Sequence, residues 1–171
     1  MNTNSRILAG LLAVAMAAAT PGLPAQDRAQ APATACSSFD ATADMALKAM
    51  KARADELHVS GVAVVAYAPG DSVASWSSRM QVVGSMTQAP SANDKGSNLL
   101  GIAYAKAAEM AATLKDSGSG VRPAMTGEFG WQGGVVAKGR TGIVIAAFSG
   151  GRSEDDVRIS KAGLGVLAGS L

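Results

Sequence analysis

The sequence predicts an α+β fold in which an antiparallel sheet, built from two hairpins, is packed by three helices. Three observations predict it. Two pairs of short segments are apolar and joined by turn residues, as in hairpins. Three longer segments repeat apolar residues at helical spacing. These segments follow one another in the order α-β-β-α-β-β-α, within a chain of 171 residues that is long enough for one domain with a core.

The first helix is predicted over residues 39–57. The segment Ser37-Ser38-Phe39-Asp40, at the predicted start, fits a capping box, which is typical of the beginning of a helix. The apolar residues that follow recur at helical spacing and would form one buried stripe. This stripe consists of Ala43, Ala46, Leu47, Met50, Ala54 and Leu57.

The first hairpin is predicted directly after this helix. The segment "GVAVVAYA" (residues 61–68) is β-branched and apolar, which favours a buried strand. Pro69, Gly70 and Asp71 are turn residues. Residues 72–83 alternate in part and are predicted to be the second strand.

A polar loop is predicted over residues 87–97, after the first hairpin. A second helix is predicted over residues 98–115, and residues 124–132 are expected to be irregular or to form a short helix. Residues 133–151 predict two strands joined at Lys138-Gly139-Arg140, and residues 154–167 predict a last helix capped by Ser153.

The N-terminus is predicted to lie outside the fold. Residues 1–25 carry one charge, Arg6, before an apolar run that is too short to span a bilayer, which favours a secretory signal peptide over an uncleaved anchor. Residues 26–36 read as a disordered leader, and residues 37–171 as the domain. We therefore expect a periplasmic or secreted protein without membrane attachment after cleavage.

Composition and motifs argue against several function classes. The net charge of +2 and the scarcity of aromatic residues give no case for nucleic-acid binding. One cysteine, Cys36, cannot form an internal disulfide. A single histidine excludes multi-histidine zinc sites, and no nucleophile elbow, paired-carboxylate spacing or Cys/His constellation is present. We therefore predict no catalytic residues and favour a non-enzymatic role.

Ser149-Gly150-Gly151 before a helix raises the question of a phosphate site, because glycine-rich helix starts often bind anions. Here the first helical turn is acidic, "SEDD" at residues 153–156, and complements the helix dipole itself. Ser153 and Asp156 also fit a capping box. A tight strand-to-helix turn is therefore predicted, without phosphate.

The segment "GGVVAKGRTGIVIAAFSGGRSEDDVRISKAGLGVL" (residues 133–167) resembles the C-terminal signature of the GlcG/HbpS family of haem-binding proteins, which includes the C-terminal domain of PduO-type proteins. Upstream, residues 61–80 are similar to the family's first hairpin, which usually ends in Arg-Met, here Arg79-Met80. "AYAKAAEMA" (residues 103–111) resembles its alanine-rich helix around a lysine, Lys106. The resemblance covers about residues 38–168.

The resemblance implies a GlcG-like, profilin-like fold, a homo-oligomer, and binding of haem or a related tetrapyrrole for storage, uptake or sensing. Lys106 stands at the family's lysine, and Glu109 at the threonine implicated in the family's haem pocket. Near the end of the first strand, where the family often has aspartate, this chain has Tyr67-Ala68. Tyr67 could also face a haem, and Arg79 and Lys106 could pair with its propionates.

His58, the only histidine, could ligate haem iron or be a surface residue favoured by the C-terminus of the first helix. Two other functions remain open: a small-molecule-processing enzyme, for example in haem degradation, or a structural or sensory oligomer without a ligand.

Overall fold

The computed structural model describes residues 33–171, with side chains from residue 38 onward. Within this part of the chain, the helices are α1 Ala33–Glu56, α2 Leu99–Thr113 and α3 Ser153–Ser170. The long strands are β1 Gly61–Pro69, β2 Ser77–Val83, β5 Gly134–Lys138 and β6 Gly142–Ser149. A small hairpin, β3 Thr87–Gln88 and β4 Ser97–Asn98, precedes α2. The predicted signal peptide and most of the predicted leader lie outside the described residues.

The four long strands form one antiparallel sheet in the order β2-β1-β6-β5. Two hairpins, β1–β2 and β5–β6, lie side by side because β1 pairs with β6 in the centre of the sheet. The predicted α+β class and the order of helices and long strands are confirmed. The small β3–β4 hairpin is an addition to that order, within the segment predicted to be a loop.

Both faces of the sheet are covered, and this explains why the central strands are continuously apolar. On one face, Ala63, Val65 and Tyr67 of β1 pack with residues of α1 and α3. On the other face, Val62 and Val64 pack with residues of α2. The alternation of side chains along β1 therefore separates two cores, with helices α1 and α3 on one side and α2 on the other.

Two predicted element starts are wrong. Helix α1 begins at Ala33, so it runs through the predicted capping box at residues 37–40 and includes residues 33–36 of the predicted leader. Strand β2 begins at Ser77, five residues later than predicted, because residues 72–76 turn away from the ladder with β1. There Val73 and Trp76 pack against the α2 core instead.

Helix α2 is capped by Asn98, whose side chain accepts a hydrogen bond from the Gly101 amide at 3.0 Å. Its C-terminal cap, Leu114, adopts a left-handed conformation with φ of 53°. None of the described helices combines the length and hydropathy required to cross a membrane.

Candidate functional site

A buried ion pair joins helix α2 to the start of α3. The Lys106 ammonium donates to the Asp156 carboxylate at 2.9 Å and to the Phe148 carbonyl at 2.8 Å. The side chains of Lys106 and Asp156 are only 3% and 4% exposed. The pair therefore links the alanine-rich helix α2 to the acidic start of α3.

The Asp156 carboxylate also binds the glycine turn that precedes α3. One oxygen accepts from the Gly151 amide at 2.9 Å, and the Gly150 amide donates as well. Burial raises the pKa of Asp156, while Lys106 and the two amides act in the opposite direction. An internal carboxylate thus occupies the place where an external anion would bind, which gives a physical reason to expect no phosphate there.

The predicted cap of α3 is wrong. Arg152, not Ser153, is the N-cap residue, and its side chain makes no capping hydrogen bond. Asp156 cannot complete a capping box with Ser153 because its carboxylate is turned inward to Lys106 and Gly151.

A polar cleft opens directly above this ion pair. Its volume is about 100 Å³. Helix α2, the β3–β4 hairpin, the β6–α3 turn and the segment before β5 all contribute residues to it. We define the polar cleft by the residues Gln88, Ser97, Leu99, Ile102, Lys106, Trp131, Gln132, Ser149, Gly150, Gly151, Ser153 and Asp156.

A second concavity, larger and open, lies along the other half of α2. Its volume is about 430 Å³, within the range of small-molecule sites. We define this apolar groove by Val73, Ala74, Ser75, Trp76, Ala108, Ala111 and Ala112. Small alanine side chains leave one wall of the groove flat, and Trp76 contributes a large aromatic side chain from the β1–β2 connection. The groove and the polar cleft share no residue.

The 116–133 loop, between α2 and β5, carries exposed apolar side chains on a backbone that is clamped by the Arg122–Glu128 ion pair. Arg122 binds both oxygens of Glu128 at 2.7 Å, and the Met125 amide donates to the same carboxylate at 2.9 Å. These contacts lower the pKa of Glu128 to about 2. Phe129 and Trp131 lie ring to ring at 4.8 Å although each is about half exposed. The irregular structure expected for residues 124–132 is observed.

Glu109 is a structural residue in this fold. It is 6% exposed, and one carboxylate oxygen accepts a hydrogen bond from the Gly118 amide at 2.9 Å. Its carboxylate thereby ties α2 to the start of the 116–133 loop.

His58 lies on the surface at the end of α1. Its backbone is left-handed, with φ of 54°. The His58 amide donates to Asp55 at 3.1 Å, and the Val59 amide donates to Ala54 at 2.9 Å. These two bonds form a Schellman motif, in which glycine usually takes the position of His58. His58 therefore ends the helix and borders neither concavity.

Tyr67 and Arg79 face the opposite side of the sheet from Lys106. The Tyr67 ring packs at 6.0 Å from Phe39, and its hydroxyl lies 2.9 Å from the Thr141 hydroxyl. Arg79 bridges to Asp40 and Asp44 of α1 at 3.4 and 3.2 Å. Tyr67 is buried and Arg79 is exposed.

The five predicted site residues therefore do not meet in one pocket of this chain. Only Lys106 borders the polar cleft, and none borders the apolar groove. Trp76, Trp131 and Gln132 border the two concavities and were missed. For Trp131 the available signal was its position in a segment expected to be irregular, whereas Trp76 stood in a predicted strand and gave no such signal.

No metal-ligating group of three or more His, Cys, Asp or Glu residues is found in the described part of the chain. A scan against models of known protein families gives no match to this chain, and a search of curated proteins gives none either.

Proposed function

We propose that this chain is an exported protein that binds haem or a related tetrapyrrole for storage, uptake or sensing. The observation that supports it is the apolar groove on α2. Its predominantly apolar walls and its volume of about 430 Å³ suit a flat, apolar macrocycle. The groove also belongs to the alanine-rich helix that carries part of the resemblance to GlcG/HbpS proteins.

The residues of the groove suit contact with the macrocycle better than they suit coordination of the iron. Trp76 can stack on a macrocycle, and Ala108 and Ala112 are exposed, so the helix surface is accessible. The groove lining itself holds no histidine, cysteine, methionine or tyrosine. Tyr104, one turn before Ala108 on the same helix face, is the residue we propose as the axial donor, since phenolic oxygen ligates iron in some haem proteins.

The Tyr104 hydroxyl lies 3.3 Å from the Ser78 hydroxyl. The contact with Ser78 would orient the phenol oxygen, and it would be lost if that oxygen ligated the iron. Haem, when bound, would supply the iron centre and its absorption; the chain would supply the apolar surface and the oxygen ligand.

We also propose that the protein forms a homo-oligomer. Val121 and Met125 are 58% and 62% exposed on the clamped 116–133 loop, and exposed apolar side chains on an ordered backbone are typical of contact surfaces. The exported location rests on the apolar N-terminal segment of the sequence alone.

The test is a haemin titration followed in the Soret region. We expect a saturable, stoichiometric shift with the natural chain. Ala108→Glu places a charge in the groove at an exposed position, so it should weaken haemin binding at least tenfold and leave the fold intact.

Ala52→Glu is the matched control, because Ala52 is exposed on α1, away from the groove. It should bind haemin like the natural chain. A titration that never saturates would reject the tetrapyrrole proposal. Equal binding by both variants and the natural chain would reject the groove as its site.

A further inference from the structure

The polar cleft contains hydrogen-bonding side chains that the fold does not use. The hydroxyls of Ser97, Ser149 and Ser153 and the amide of Gln132 border it. None of these four side chains makes a hydrogen bond to another described residue. The residue Ser149 is only 4% exposed and borders the cleft, and its hydroxyl keeps some solvent access, since every fully buried side-chain nitrogen or oxygen of the described residues has a hydrogen-bond partner. A largely buried hydroxyl beside the cleft is therefore available to hydrogen-bond a ligand there.

The charges around the polar cleft are unfavourable to an anion. Lys106 and Asp156 neutralise one another at its floor, and Asp156 already binds the turn amides. Glu154 adds negative charge in the first turn of α3, whereas Asp155 is paired with Arg152 and Arg158. Lys106 and Asp156 are the only charged residues that line the cleft among the described residues, so neither an anion nor a cation finds an unpaired charge of the opposite sign there.

The remaining groups match hydroxyls. A serine hydroxyl and a glutamine amide can each donate and accept, as can every hydroxyl of a sugar. Trp131, half exposed at the cleft, offers an aromatic face to the apolar side of a sugar ring. The ring of Phe129 contacts that of Trp131 in a tilted arrangement, with the ring centroids 4.8 Å apart.

We propose that the polar cleft is a binding site for a neutral sugar in its ring form. The ring stacks on Trp131, and its hydroxyls reach Ser149, Gln132 and Ser153. The site is independent of the tetrapyrrole proposal, because the polar cleft and the apolar groove share no residue.

The experiment uses the full chain with Trp76→Phe, so that Trp131 is the only fluorescent tryptophan. D-glucose, D-galactose and D-mannose are the neutral probes, and D-glucuronate is the charged counterpart of D-glucose. We expect a saturable change of Trp131 fluorescence with at least one neutral hexose at concentrations up to about 10 mM, and at least tenfold weaker binding of D-glucuronate.

Ser149→Ala should weaken the hexose about fivefold, which corresponds to one neutral hydrogen bond, without lowering the melting temperature. Ser72→Ala, an exposed serine of the β1–β2 connection, is the control and should change nothing. The proposal is overturned if no neutral hexose gives a saturable change, if D-glucuronate binds as well, or if Ser149→Ala leaves the affinity unchanged. Haemin binding by Ser149→Ala should equal that of the natural chain, so the two proposals fail separately.

Discussion

The two concavities on helix α2 differ in what holds their walls together. The floor of the polar cleft is a buried ion pair, and its rim is a turn whose amides are bound by the same carboxylate. The apolar groove is lined by exposed or partly buried side chains, most of them small, whose replacement breaks no side-chain hydrogen bond. In the cleft, the charged residues of the floor stabilise the fold, while the side chains of Ser149, Gln132 and Ser153 remain available to a ligand. The groove has no such charged floor.

This difference changes the interpretation of the charged residues that the sequence singled out. Lys106 and Glu109 would be haem-contacting residues by resemblance, yet both are buried and bonded within the chain. Mutations at these positions are therefore expected to act first on stability, and mutations in the apolar groove on ligand binding.

The largest effect is expected from Lys106→Met, which keeps an unbranched side chain of nearly the same length and removes its charge. It leaves the Asp156 carboxylate buried without its cation, so the free energy of unfolding should fall by about 3–5 kcal/mol. Chemical denaturation measures this, with the exposed Lys48→Met as control. A loss as small as that of the control would show that the pair does not stabilise the cleft.

Gly150→Ala is expected to cost somewhat less, about 3 kcal/mol, by overpacking. A β-carbon at this position would lie 2.6 Å from the Gly61 α-carbon and would collide with the Ser60 carbonyl, so the β6–α3 turn and the start of β1 must separate. Thermal unfolding is the measurement. The exposed Gly165→Ala, which meets nothing within 4 Å, is the control, and equal melting temperatures for the two variants would contradict the expectation.

Acid should act on the polar cleft and spare the apolar groove. The pKa of Glu128 is lowered from 4.5 to about 2, so its clamp stabilises the 116–133 loop above pH 4.5 and is lost as the pH falls towards 2. Trp131 fluorescence in the Trp76→Phe chain should change across that interval.

Glu128→Gln is the control for this titration, because the loop should then show no step between pH 4.5 and 2. A step of the same size in Glu128→Gln would mean that another group releases the loop.

The smallest effect is expected at His58, which belongs to neither concavity. The left-handed backbone of His58 costs a residue with a side chain about 1 kcal/mol, and His58→Gly removes this cost. Glycine also raises the entropy of the unfolded chain, which lowers the free energy of unfolding by about 0.5 kcal/mol. We therefore expect a net gain of about 0.5 kcal/mol in the free energy of unfolding, with haemin affinity unchanged. Loss of the haemin complex in this variant would restore His58 as the iron ligand.

The sequence predicted the elements well because local patterns determine them. The alternation and apolarity of β1 and the helical stripes of α1 and α2 depend on neighbours in the chain. The inward turn of Asp156 was not predictable in the same way, since its partner Lys106 is fifty positions earlier. Within the helix start alone, an acidic residue is equally well explained by the dipole or a capping box.

The candidate site was predicted least well, for a related reason. Trp76 appeared as a strand residue, but the chain leaves the ladder at residues 72–76 and turns its ring towards α2. Trp131 lies in an irregular loop that carries no periodicity, so only the fold shows that it borders the polar cleft.

The most direct test of the tetrapyrrole proposal is an alanine-methyl NMR titration with gallium protoporphyrin IX, a diamagnetic stand-in for haem. The ring current of a macrocycle in the apolar groove should shift the methyl signals of Ala108, Ala111 and Ala112 together, in a saturable way. The signal of Ala52 on α1 should stay in place. Saturable shifts confined to α1, or no shift at the three groove alanines, would contradict the assignment of the groove as the tetrapyrrole site.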